Sequence, residues 1–318
     1  MFKNILVYKI GADWQLPEAQ DMEAVLERTR FAPCSATQEE SFGWISPRPQ
    51  DHSPFLEVVA GQWLMKLQLE RKSVPGGAVK AELEARCKKI ELERGRKPSR
   101  KEKKELKEDI VLEFLPRAFS KRYAFLVWLD PVNRCLVVGT SSRRAADEVV
   151  EQVVEAFAEV GTPLAIRPLL TQLNPATAMS TWLTEKEAPA GFTVDRDLEL
   201  RQPDNEQSVV RYARHNLDID EVVQHIVSGK QPTQLALTWD TRVSFMLGAD
   251  LSLKKIEMLD DVFVDTDEDA GFDGDVALAT AELSRLVVGL VDALGGEATS
   301  ESAEAQPAAE AISEAEQD

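Results

Sequence analysis

Between two strand-like runs, residues 62–71 and 123–129, lies a segment that cannot be sheet. Pro75-Gly76-Gly77 breaks the first run. From Ala78 to Arg94, Val79, Leu83, Cys87 and Ile90 recur at helical spacing. Gly95 and Pro98 end that helix. Ser99 followed by Glu102 is a capping-box pattern, in which each side chain satisfies a free backbone N–H at the start of the next helix. Leu106, Ile110 and Phe114 carry the second helix to about Leu115. The segment therefore predicts an antiparallel helical hairpin, each arm about 25 Å long, inserted between two strands.

The hairpin also concentrates charge. Between Arg86 and Lys107 the chain places eleven Lys/Arg against four Glu, although its formal net charge is −18. Much of that negative charge lies elsewhere. Residues 260–318 hold seventeen Asp/Glu and one basic residue, Arg285, so the other 259 residues carry 36 basic and 38 acidic groups. Intrahelical pairs such as Lys101–Glu105 and Lys104–Glu108 contribute only ~0.2–0.5 kcal/mol each and do not explain the excess. A solvated helical face, an acidic protein partner and a nucleic acid remain open, and the cation density favours nucleic acid.

The rest of the chain reads as α+β. Strand patterns fall at 2–10, 41–46, 55–60, 62–71, 123–129, 134–139 and 163–169, with helices at 18–30 and 143–160. Trp63, Met65, Leu67 and Leu69 alternate with polar residues, the signature of a half-buried strand. A second region starts near 171, with helices at 175–184, 218–228 and 276–294, strands at 192–200 and 207–214, and a three-stranded meander over 234–259. The expected organisation is a mixed-sheet central domain (1–76 and 121–170), an inserted hairpin (77–120), a second α+β domain (171–297) and a disordered acidic tail (298–318).

Hydrophobic residues make up 43% of the chain, enough for a sizeable core. Cys34, Cys87 and Cys135 are too scattered for a disulfide framework or a zinc site and fit a reducing compartment. No window has the length of a signal core or a membrane span, so the expected compartment is the cytoplasm. There is no phosphate-loop motif, the three histidines are dispersed, and no nucleophile–base pair stands out. Asp265-x-Asp267-x-Asp269 imitates a calcium loop, but Gly271 falls at the seventh position and Val276 at the twelfth, which the loop does not allow. The expectation is a non-enzyme without cofactor or metal.

The candidate contacts on the hairpin are Lys88, Lys89, Arg94, Arg96, Lys97, Arg100, Lys101 and Lys104. They continue into Leu115-Pro116-Arg117-Ala118-Phe119-Ser120-Lys121-Arg122, where Arg117 and Lys121 flank an aromatic. Phe119 has two readings: a core residue, the usual fate of Phe, or an exposed finger whose ring stacks on a base. Composition alone favours core. A smaller basic group comprises Arg211, Arg214, His215 and Lys230, and Lys254-Lys255 forms another pair.

FKN (2–4), GW (43–44), LPRAFS (115–120), ALTWDTRVSF (236–245), SLKKI (252–256) and LGGE (294–297) follow one another in an order and spacing that resemble the bacterial recombination-associated RdgC family. The resemblance spans roughly residues 1–297 and excludes the acidic tail. It implies a ring-shaped homodimer whose basic opening surrounds duplex DNA with little sequence preference. It also implies association with the nucleoid and restraint of the RecA recombinase. It makes the hairpin a protruding tip and the second domain a base. It shifts Phe119 to the finger reading, and it matches Arg96, Arg117, Arg214 and Lys230 to basic DNA-contact positions. Two other classes stay in view: a metal-dependent nuclease built from the abundant carboxylates, and a protein-interaction module that docks through the basic tip.

Overall fold

A computed structural model of the chain describes residues 1–50, 52–262 and 271–298. The possible calcium loop at 265–269 and the tail beyond Ala298 lie outside the described residues. The elements in chain order are β1 (Leu6–Ile10), α1 (Ala19–Arg28), β2 (Glu40–Ile45), β3 (Glu57–Val59), β4 (Gln62–Ser73), α2 (Gly76–Arg94), α3 (Arg100–Phe114), β5 (Phe119–Asp130), β6 (Cys135–Val138) and α4 (Arg143–Glu159). They continue with β7 (Ile166–Pro168), α5 (Pro175–Glu185), β8 (Phe192–Gln202), β9 (Asn205–Tyr212), α6 (Asp220–Val227), β10 (Gln231–Trp239), β11 (Val243–Gly248), β12 (Leu253–Met258) and α7 (Gly271–Ala293). The chain divides into two compact units. One comprises Met1–Met22, Glu57–Leu64 and the residues from Leu126 onward; the other comprises Glu23–Leu56 and Met65–Phe125.

In the first unit β1 lies between β6 and β7, with Tyr8 opposite both Leu136 and Pro168. The end of β5 extends this sheet through Val127↔Val138. Helix α4 buries Ala146, Val149, Val153, Ala156 and Phe157, a stripe at helical spacing. Asp130 closes the β5–β6 turn by accepting the backbone N–H groups of Val132 and Asn133 at 3.0 and 3.1 Å. The second sheet of this unit has the order β12-β11-β10-β8-β9. Leu198, Leu200, Leu235, Leu237, Phe245 and Leu247 face a core that also contains Met179, Leu183, Val222, Leu283, Leu286 and Leu290 from α5, α6 and α7. Glu282 of α7 is fully buried and accepts Arg242 Nη2 at 2.7 Å, which ties the β10–β11 turn to the helix.

The strand pairs correct one expectation, because both sheets are antiparallel rather than mixed. The α4 crossover does deliver β6 and β7 parallel to each other, as a crossover helix should. It spans one strand position, however, and β1 fills the gap antiparallel to both.

In the second unit β4 pairs with β2, with Phe42↔Leu69 and Trp44↔Leu67 in register. Gly43 has a steric reason: a Cβ there would stand 2.3 Å from the Phe31 Cα. The helical arms α2 and α3 are about 28 and 22 Å long. Val79 and Ile110 are their buried residues, Leu115 just after α3 is buried as well, and Leu83, Cys87, Ile90, Leu106 and Phe114 are half-buried. Arg86 links the arms by donating both Nη atoms to Glu113, at 3.1 and 2.6 Å, and its Nε to Glu82 on its own helix.

Candidate nucleic-acid interface

The hairpin turn is built from local chemistry. Gly95 caps α2 with φ 65°, a left-handed conformation in which glycine carries no Cβ penalty. Ser99 Oγ accepts the Glu102 N–H at 3.2 Å, and Glu102 Oε2 accepts the Ser99 N–H at 2.7 Å. The same carboxylate takes both Nη atoms of Arg96 at 2.8 Å and has Arg94 3.8 Å away. The Arg96 fork, followed by the Ser99 backbone N–H and the Ser99 hydroxyl acting on the carboxylate, holds Glu102 far below the usual carboxylate range, and the same pairing raises the Arg96 guanidinium.

Pairing sorts the candidate cations. Arg94 and Arg96 are engaged at the turn by Glu102, and Lys97 stands 4.0 Å from Glu91. Lys101 and Lys104 make loose i,i+4 pairs with Glu105 and Glu108 at 3.9 and 3.8 Å. Lys88, Lys89 and Arg100 are exposed and form no ion pair among the described residues. Lys103 and Lys107, which the sequence reading did not single out, belong with them. Their signal was available: neither has an acidic residue three or four positions away on α3.

A 3-10 turn, Leu115–Arg117, leads out of α3, and β5 begins at Phe119, four residues before the sequence-based start. Phe119 is 87% exposed, so composition misjudged it as core. It stands at the head of a strand whose first six residues are all exposed. Arg117 and Lys121 are exposed and form no ion pair among the described residues. Arg122 donates to Glu70 of β4 at 3.3 Å and lies 5.5 Å from the Phe31 ring centroid. Glu70 is held below its ordinary range first by the Ser120 hydroxyl and then, against the effect of burial, by the Arg122 charge.

Arg211, Arg214 and Lys230 belong to the first unit, whereas the hairpin and β5 start belong to the second. Arg211 Nε donates to Glu199 Oε2 at 2.6 Å, and Arg201 and Thr233 donate to Oε1 at 2.8 and 2.9 Å. Burial alone would raise the Glu199 pKa; these three hydrogen bonds outweigh it and hold the carboxyl below its ordinary value. Arg214 adopts φ 53°, and its N–H donates to Asp197 at 2.7 Å. Its side chain lines an open groove of about 420 Å³, where Arg196 and Lys255 alternate with Asp195, Asp197 and Glu257. Lys230 Nζ reaches Ser208 Oγ at 3.4 Å. His215 Nδ1 is 2.8 Å from the Asn216 carbonyl, and Lys254 is half-buried. Among the described residues, no three His, Cys, Asp or Glu side chains are grouped to hold a metal ion, and no helix is long and apolar enough to cross a membrane.

Fold and surface together define a class: an α+β protein of antiparallel sheets with an exposed basic helical hairpin inserted between two strands. The chain belongs to the RdgC family, whose model, described as "Putative exonuclease, RdgC", matches residues 1–297. It is 40% identical over 301 residues to the recombination-associated protein RdgC of Herminiimonas arsenicoxydans, covering 93% of this chain and 98% of that protein. The proteins of the same name from Dechloromonas aromatica and Bordetella pertussis are each 39% identical, over 304 and 301 residues, with the same coverage.

Proposed function

We propose that this chain is a sequence-independent DNA-binding protein that encircles duplex DNA as a ring-shaped homodimer on the nucleoid and restrains RecA-mediated recombination. The observation that carries the reading is the set of exposed cations between Lys88 and Lys121 that form no ion pair among the described residues: Lys88, Lys89, Arg100, Lys103, Lys107, Arg117 and Lys121. Such groups neutralise phosphates and release condensed counterions without reading bases. The hairpin at 77–120 serves as the tip of the ring and residues 171–297 as its base, where Arg211, Arg214 and Lys230 add charge. Two-fold symmetry doubles every group and closes the ring through self-complementary contacts. Membership of a family whose relatives are named recombination-associated supports the process.

The test is binding of two duplexes of unrelated sequence across a salt series, with Mg²⁺ or Mn²⁺ added in a parallel arm. Equal affinities, a steep salt slope and uncut DNA are expected. A strong preference for one sequence, or a flat slope, removes the proposal. Cleavage by stoichiometric protein replaces it with the nuclease reading.

A further inference from the structure

The first half of β8 has an open edge inside the first unit. β9 pairs with β8 only from Leu198 to Gln202. Beyond Tyr212 the chain turns at Arg214, φ 53°, and the His215 N–H makes a last backbone bond to the Arg196 carbonyl at 3.0 Å. Among the described residues, no strand lies against Phe192–Asp195 on that side. We infer that this edge takes an extended segment of a partner protein as an added antiparallel strand, and that the segment carries a large aliphatic residue with acidic residues on its N-terminal side.

The register decides which backbone groups are free. Val194 stands opposite Leu237, Thr193 opposite Thr238 and Phe192 opposite Trp239. One position earlier, the Asp240 N–H donates to the Gly191 carbonyl at 2.8 Å. Antiparallel pairs alternate between bonded and non-bonded. The Thr193 pair is therefore bonded, and Val194 turns its N–H and C=O to the open side. The Arg196 carbonyl, two residues on, points the same way, as its bond from His215 requires. Val194 thus offers one donor and one acceptor to a single residue of an incoming strand.

The edge is recessed. It forms one wall of a groove of about 330 Å³, with Trp182, Leu183 and Leu217 opposite. Phe192 and Val194 face the core. Residues directly opposite on paired strands share a face, so the residue paired with Val194 would point at these apolar side chains. Charge at the mouth is mostly spoken for: Lys186 is 2.8 Å from Asp218, and Asp195 accepts the Thr238 hydroxyl at 2.9 Å. Arg196 also lines the groove, is exposed and forms no ion pair among the described residues. Its guanidinium is available to a carboxylate on the incoming segment, and antiparallel pairing puts that carboxylate on the N-terminal side. A second copy of this chain is the less suitable occupant, because its own β8 edge is recessed in the same groove and two recessed edges cannot meet.

The experiment measures fluorescence anisotropy of a dye-labelled, capped Gly-Glu-Glu-Leu-Val-Thr-Ser peptide with the full chain. Companion peptides carry N-methyl-Leu, or Lys in place of both Glu. The protein variants are Val194→Pro, Val194→Ala and Arg196→Gln, each checked by circular dichroism. The N-methyl peptide should lose about tenfold in affinity. Val194→Pro should lose about as much, because it deletes an N–H that β10 does not use, while Val194→Ala keeps most of the binding. The Lys peptide and Arg196→Gln should each lose roughly 2- to 5-fold. If Val194→Pro does not fold, the N-methyl peptide tests the same pairing from the other side. No binding by the parent, or equal binding of the N-methyl peptide, overturns strand addition. Tighter binding of the Lys peptide overturns the acidic assignment. Peptide that lowers the sedimenting mass of the parent assigns the edge to a second copy. Peptide bound only by a chain truncated after Ala298 assigns it to this chain's own C-terminal segment. Either result overturns the partner assignment.

Discussion

Replacing Lys88, Lys89, Lys103 and Lys107 together by Gln removes four of the seven exposed cations between Lys88 and Lys121 that form no ion pair among the described residues. Gln is close to Lys in helix propensity, so α2 and α3 should persist. If all seven cations of one protomer meet phosphates, the slope of log affinity against log salt is about −6, and raising salt from 50 to 200 mM costs about 10⁴-fold. With three left, the slope falls to about −3 and the same salt step costs only about 40-fold. A second protomer engaged on the DNA scales both slopes together. The assay is fluorescence anisotropy with one labelled duplex at four salt concentrations, with the matching Lys→Arg quadruple as control. The Arg variant should keep the parent slope. A Gln variant with the parent slope, or an Arg variant that loses it, refutes the assignment of these cations to phosphate.

Three further outcomes follow from the same geometry. Ser99→Ala removes the acceptor for the Glu102 N–H and should cost about 1 kcal/mol, read as faster amide exchange at the start of α3 with the other helices unchanged. Glu282→Ala strands Arg242 beside a fully buried site and should cost about 3–5 kcal/mol, seen as a lower urea midpoint with an unchanged m-value. Glu199 has a folded pKa below its unfolded value near 4.5, so its contribution to stability is present above that pH and is lost as pH falls through the folded pKa. Thermal melts of the parent and Glu199→Gln should therefore differ at neutral pH and converge on acidification.

What was legible in the sequence is what depends on near neighbours. The Ser99–Glu102 box, the Gly95 stop and the helical stripes of α2 and α3 all lie within a few residues, and each stands where the pattern put it. So do the Asp130 turn and the β10–β11–β12 meander. The missed features join distant residues. Arg96 reads as a free cation until the turn folds it onto Glu102. Arg86 meets Glu113 across the hairpin, and Arg211 meets Glu199 across two strands. The four residues that begin β5 are too polar to look like sheet, and their clamp, Glu70, lies on β4. The sheet direction depended on β1 slipping between β6 and β7, which no local period records.

The most direct test of the hairpin's role is photocrosslinking of the full-length chain to a duplex carrying photoreactive thymines, with adducts located by peptide mass spectrometry. Adducts should concentrate in peptides from Lys88 to Lys121, with further ones around Arg214 and Lys230. Efficient crosslinking that leaves Lys88–Lys121 unmodified would contradict the assignment of the basic hairpin to DNA.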